Sequence, residues 1–204
     1  RRGDVVVTPS DYSKQLVSAP KYGITAPIRV LSNGVDTTFF RPKASARARL
    51  RESLGLDPEA TVVISVGMQL VRKGILDWVE VARRMPETTF VWFGRTDPRL
   101  LTAEVQRALE SAPPNALFPG YVGAERLQEA YAGADVFAFL TKEETEGIVL
   151  WEAPASGTPT LVRGIPLYRD AMPDGVITHQ VTGDGPEFAG EFAAKLSALL
   201  TGEL

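Results

Sequence analysis

The chain of 204 residues is 44% hydrophobic and 23% charged with a formal net charge of −3, the profile of a globular protein with room for one or two domains. It has no Cys and one His, which excludes a disulfide framework, thiolate metal sites and a zinc-binding histidine cluster, and its mild acidity offers no footprint for nucleic acid. No apolar run approaches the roughly 18 residues of a spanning helix, and the Arg-Arg-Gly opening without Met reads as a piece of something longer.

Asp4 to Ser10 reads as a short apolar strand and Asp11 to Val17 as a helix that stops before Pro20. Ile28 to Asp36 reads as a strand entering an Asn-Gly turn. One such βα piece cannot bury its own faces, so residues 1–41 are expected to lean on the rest of the chain or on a partner. Arg41, Lys43, Arg47, Arg49 and Arg51 fall in a short helix before Gly55. A solvated helix face near a hinge is the preferred reading over attraction to anionic lipid heads, because no aromatic stripe interleaves the charges.

From Thr61 the pattern becomes regular. Thr61 to Gly67 is a β-branched strand, and Ile75, Trp78, Val79, Ala82 and Met85 share one helical face. The alternation continues with strand Phe90 to Phe93, helix Leu101 to Ala112, strand Ala116 to Phe118, helix Ala124 to Ala132 and strand Val136 to Leu140. After a turn and helix come strands Thr160 to Val162 and Gly175 to Val181, then a last helix, Pro186 to Leu200. Strands alternating with helices imply a parallel sheet covered on both faces, a doubly wound Rossmann-like α/β domain over residues 42–204. His179 falls in an alternating run and reads as a strand residue without a catalytic role.

The strand ends carry the candidate chemistry. Arg72 and Lys73 follow the first strand at the start of the next helix, where two cations can meet a diphosphate or simply form a surface turn. Gly67, Gly94 and Gly120 end strands, where glycine lets the backbone pass close to a nucleotide. Tyr121 stands equally as a core aromatic or as one beside a base. No Gly-x-Gly-x-x-Gly and no Gly-x4-Gly-Lys-Ser/Thr occurs, which counts against dinucleotide-binding dehydrogenases and P-loop enzymes.

The most informative stretch is Glu144-Thr-Glu-Gly-Ile-Val-Leu-Trp-Glu152, running on to Gly157. It lies at a strand-to-helix turn, where open α/β sheets bind ligands. Gly147 permits close approach, and the free N–H groups opening the helix favour a phosphate. Glu144 lies before the helix and Glu152 about one and a half turns into it. Carboxylates beside a phosphate repel it and make sense if they grip hydroxyl groups, so the ligand expected is a nucleotide sugar.

With Glu-Ala-x-Ala-x-Gly-x-Pro closing it, this Glu-x7-Glu stretch resembles the donor site of the family 4 retaining glycosyltransferases, which have the GT-B fold. The resemblance implies that Glu144 contacts the donor sugar, Glu152 holds the ribose hydroxyls, and the amides of Gly147, Ile148 and Val149 take the diphosphate. Lys73 matches the family's phosphate-binding lysine, while Met68 stands at its arginine, so Arg72 is expected to substitute. Asn33-Gly-Val-Asp36 and Phe40-Arg-Pro42 resemble the end of the acceptor-side domain, making residues 1–41 a remnant of that domain and the rest of it the missing partner. Glu146 departs from the family's usual Phe, and the Glu-Thr-Glu-Gly form is similar to bacterial glucosyltransferases acting on diacylglycerol lipids. The implied activity is metal-free transfer of a hexosyl unit, from UDP-glucose, to an acceptor hydroxyl by a cytoplasmic protein, with peripheral contact at the inner membrane face if the acceptor is a glycerolipid. This fragment alone is expected to be inactive. A non-catalytic nucleotide-sugar-binding module is the alternative, and an epimerase lacks the carboxylate and His pair it would need.

Overall fold

The structure, a computed structural model, describes residues 3–204. Two parallel sheets are present. The small one pairs β1 (Val6–Thr8) with β2 (Ile28–Val30), connected through α1 (Asp11–Val17). Ser10 caps α1, its hydroxyl accepting from the Ser13 N–H at 3.1 Å. The strand expected over residues 28–36 ends at Val30. Leu31 to Asp36 lies outside the strand, although the Leu31 N–H still donates to the Thr8 carbonyl at 2.9 Å, and Ser32 and Asn33 bond to Glu146.

The large sheet holds six strands: β3 (Val62–Val66), β4 (Thr89–Phe93), β5 (Ala116–Gly120), β6 (Val136–Phe139), β7 (Thr160–Arg163) and β8 (His179–Val181). Their spatial order is β5-β4-β3-β6-β7-β8, all pairs parallel. Renumbered from β3, this is the 3-2-1-4-5-6 order of the doubly wound fold. Alternation along each strand explains the two-sided core. Val63, Phe90, Trp92, Ala138 and Leu161 face one layer, with α3 (Ile75–Arg84) and α8 (Phe188–Thr201). Val62, Ile64, Val91, Phe93, Phe137 and Phe139 face the other, with α5 (Ala124–Gly133), α6 (Val149–Ala155) and α7 (Pro166–Ala171). Two further helices complete the set, α2 (Ala46–Leu54) beneath the second layer and α4 (Ala103–Glu110) beneath the first.

Three expectations need correction. Helix α7 was not anticipated between β7 and β8. It is six residues long and opens with Pro166 at its first turn, too short to show a period. The strand expected from Gly175 begins only at His179, because Gly175 adopts φ 76° in the turn before it. The basic helix is the expected solvated face at Arg47 and Arg49 but not at Arg51. Arg51 is 1% exposed and reaches the Ala60 and Gly133 carbonyls and Asp135, while Arg47 pairs with Asp135 and Arg49 with Glu129. Burial pulls the Arg51 guanidinium below its ordinary value, an effect that Asp135 opposes. Arg51 alone is thereby spent inside the fold, while Arg47 and Arg49 stay about half exposed, at 47% and 48%, in surface ion pairs.

Candidate functional site

In this strand order the chain winds in opposite directions from β3 and β6, which leaves a crevice at their carboxyl ends. The predicted residues meet around it. Gly67 follows β3 and Gly94 follows β4, and the two pack so closely that a Cβ on Gly94, whose φ is 119°, would overlap the Gly67 carbonyl oxygen. The Trp92 indole N–H donates to that same oxygen at 2.8 Å. Trp92 is therefore core, but it fixes the crevice floor, a role its apolar run did not disclose. Beside it lies a cavity of about 250 Å³ lined by Val66, Gly67, Met68, Phe93, Gly94, Arg95, Tyr121, Val122 and Leu127. Tyr121 is 85% exposed at its rim, which decides against the core reading. A flat apolar slot walled by backbone has the character of a nucleobase site. Gly94→Ala should close it and, by strain plus backbone overlap, lower stability by roughly 2 kcal/mol or more; a thermal melt and a nucleotide titration of the variant check both effects.

Lys73 crosses from this slot to the Glu144 loop. A Cβ on Gly67 would lie 3.9 Å from Lys73 Cδ, and Lys73 Nζ pairs with Glu144 Oε1. Both side chains are largely covered, at 16% and 10% exposure. Thr141 Oγ1 lies 3.5 Å from the same carboxylate oxygen, and Lys73 Nζ stands 5.6 Å from the Phe139 ring centroid. Arg72 is exposed, and its side chain makes no ion pair among the described residues. Its carbonyl, by contrast, accepts from the Lys142 N–H at 2.8 Å and ties this turn to the one after β6.

The predicted turn at Gly147 is present, with φ 77°. A Cβ there would fall 2.8 Å from Tyr168 Oη and 3.7 Å from Glu144 Cγ, so glycine is required on both counts. The N–H groups of Gly147, Ile148 and Val149 donate to nothing among the described residues. Helix α6 starts at Val149 and runs only seven residues through Pro154, so Glu152 sits one turn inside it, nearer its start than expected. One carboxylate oxygen of Glu152 accepts from Tyr131 Oη at 2.9 Å, which leaves Oε1 free. Burial raises the Glu152 carboxyl above its ordinary value, and the Tyr131 hydrogen bond opposes the rise. Tyr168 Oη has no partner among the described residues, and burial, with the charge of Glu144, pushes its hydroxyl far up. Tyr131 escaped sequence reasoning because it lies in an apolar helical face with nothing local to mark its hydroxyl, and Tyr168 because the six-residue helix that carries it shows no period. Among the described residues, no group of three or more His, Asp or Glu is arranged to hold a metal.

The doubly wound parallel sheet with helices on both faces is the Rossmann-like architecture of GT-B glycosyltransferases. The chain belongs to the family described as Glycosyl transferases group 1, which matches residues 46–203. It is 40% identical over 167 residues to the processive diacylglycerol alpha-glucosyltransferase of Acholeplasma laidlawii, covering 82% of this chain and 50% of that protein. It is 32% identical over 171 residues to the alpha-galactosylglucosyldiacylglycerol synthase of Streptococcus pneumoniae, covering 81% and 44%. The chain thus spans about half the length of the curated relatives it matches. In fold it resembles Anabaena HepE, solved in complex with UDP-glucose, at TM-score 0.84 and 19% identity over 98% of this chain and 55% of that one.

Proposed function

We propose that this chain is the donor-binding half of a retaining glycosyltransferase that transfers glucose from UDP-glucose to a hydroxyl of a membrane glycerolipid. Residues 1–41 are then the closing part of the acceptor-side lobe, and residues 42–204 the nucleotide-sugar domain. The observation that carries the reading is the Lys73–Glu144 pair beside the unpaired amides of Gly147 to Val149. A cation and amides suit a diphosphate leaving group, and a carboxylate next to them suits sugar hydroxyls. Lys73, Arg72 and the amides stabilise the charge that develops on UDP as the glycosidic bond breaks, so no metal is needed. Glu144 orients the hexose, the free oxygen of Glu152 accepts from the ribose, and the slot at Tyr121 takes the base. The lipid acceptor rests on the names of the two relatives, both diacylglycerol enzymes. A glycerolipid acceptor implies peripheral contact with a membrane face; no helix among the described residues is long and apolar enough to cross a bilayer.

Calorimetric titration with UDP, UDP-glucose, ADP-glucose and NAD, with and without magnesium, tests this. Saturable binding of the uridine compounds that does not depend on magnesium is expected, with UDP-glucose above ADP-glucose. Binding of NAD alone, or of no nucleotide, would sink the reading.

A further inference from the structure

The segment between Glu144 and Gly147 is held from outside its own domain. The Thr145 carbonyl accepts from Ser10 Oγ at 2.6 Å and from Ser13 Oγ at 2.9 Å, both at the start of α1. Its neighbour Glu146 is 7% exposed. That carboxylate accepts from Ser32 Oγ, from the Asn33 side-chain amide, and from the Asn33 backbone N–H, which lies 3.1 Å from one oxygen and 3.2 Å from the other. Among the described residues no cation pairs with it. Burying a carboxylate against neutral donors is a poor source of stability, because the desolvation cost offsets most of the hydrogen-bond gain. What such an arrangement does supply is register. Three donors converging on two oxygens allow one position of the loop, and that loop carries Glu144 on one side and Gly147 on the other.

We propose that Glu146 is a positioning residue that locks the sugar-contacting loop to the β1-α1-β2 lobe, so that hexose recognition by Glu144 depends on where that lobe sits. The inference rests on the donor reading above and deepens it. Glu146 touches neither the base slot nor Glu152, so the base and ribose contacts should be insensitive to its loss. The diphosphate, held also by Lys73 and the amides at the start of α6, should lose less than the hexose. The hexose half should lose most, because a fixed side chain discriminates only while its supporting contacts hold it to a fraction of an ångström.

The test compares UDP with UDP-glucose affinity in the wild type, Glu146→Ala, Glu146→Gln, Asn33→Ala and the Glu146→Ala/Asn33→Ala pair, together with melting temperatures. In Glu146→Ala the advantage of UDP-glucose over UDP should shrink by about fivefold or more, the loss expected from one broken hydrogen-bonded carboxylate, while UDP affinity itself falls by a smaller factor. Glu146→Gln, which keeps one acceptor oxygen, should recover part of the advantage. Asn33→Ala should act in the same direction, and the pair should be less than additive, since both changes break one contact. A lower melting temperature with the UDP-glucose advantage intact would mean that the clamp is structural only, and would overturn the proposal while leaving the donor reading standing. A wild type without UDP affinity would overturn both.

Discussion

In the full-length protein that includes the rest of the acceptor-side domain, Lys73→Ala should reduce glucosyl transfer by about 10²- to 10³-fold, the usual consequence of deleting a group that stabilises charge on a leaving oxyanion. The loss has two parts, which the structure allows to be separated. Lys73 supplies a positive charge to the diphosphate, and it also neutralises Glu144, whose carboxylate is only 10% exposed. Removing the lysine leaves that carboxylate covered and unpaired beside an incoming dianion, an arrangement that costs more than the missing attraction alone. The double variant Lys73→Ala/Glu144→Gln should therefore bind UDP more tightly than Lys73→Ala, even though it has lost two site residues. UDP titrations of the four proteins close the cycle, with a coupling of about 1 kcal/mol or more expected between two groups in direct contact. Independent, additive losses would mean that the pair does not share the phosphate site. Arg72 provides an internal comparison: it is exposed and free of ion pairs among the described residues, so Arg72→Ala should act through salt-sensitive attraction and cost less than Lys73→Ala.

The sheet was legible because its signal is long-range repetition. From Val62 onward each β-branched strand buries both faces and each helix shows one apolar stripe, so element type and order follow from periodicity. The anion turn was legible for a different reason: glycine at a positive φ, carboxylates at fixed spacing and a strand ahead of them are all local features. What stayed hidden depends on distant partners. The sequence around Arg47, Arg49 and Arg51 reads as surface, which holds for the first two, but Asp135, just past the end of α5, and the Ala60 and Gly133 carbonyls turn Arg51 into an internal brace. Glu146 stands out as a departure at its position, yet its partners, Ser32 and Asn33, lie more than a hundred residues earlier, in a stretch that reads as a strand running into a turn. The bonded hydroxyl of Tyr131 is likewise invisible in a helical face that looks like ordinary core, and that of Tyr168, without a partner among the described residues, lies on a helix too short to be read from period.

Glu152→Gln should weaken nucleotide binding and strengthen the fold, and opposite signs from one substitution make this a sharp test of its role. Glu152 has its carboxyl raised by burial, so the folded chain holds the proton more tightly than the unfolded chain does. For an acid shifted in that direction the ionised form is a cost to the native state at neutral pH. The cost is relieved as pH falls through the raised folded value, and the wild type gains stability relative to the variant over that window. Melting temperatures should accordingly favour Glu152→Gln at pH 7, with the difference closing as the pH is taken below the carboxylate range. Glutamine keeps an oxygen for the Tyr131 hydroxyl, so packing against Tyr131 is not the variable. Binding should move the other way. A ribose hydroxyl donating to a carboxylate is worth about 1.5–3 kcal/mol, and its replacement by a neutral acceptor or by alanine should raise the UDP dissociation constant by about 10- to 100-fold. Tyr131→Phe sharpens the same point. It removes the hydrogen bond that holds the Glu152 carboxyl down, so the pH below which UDP affinity falls should move upward. A carboxylate retained at a cost to the fold is hard to explain as a packing residue, and it is what a group kept for its ligand looks like.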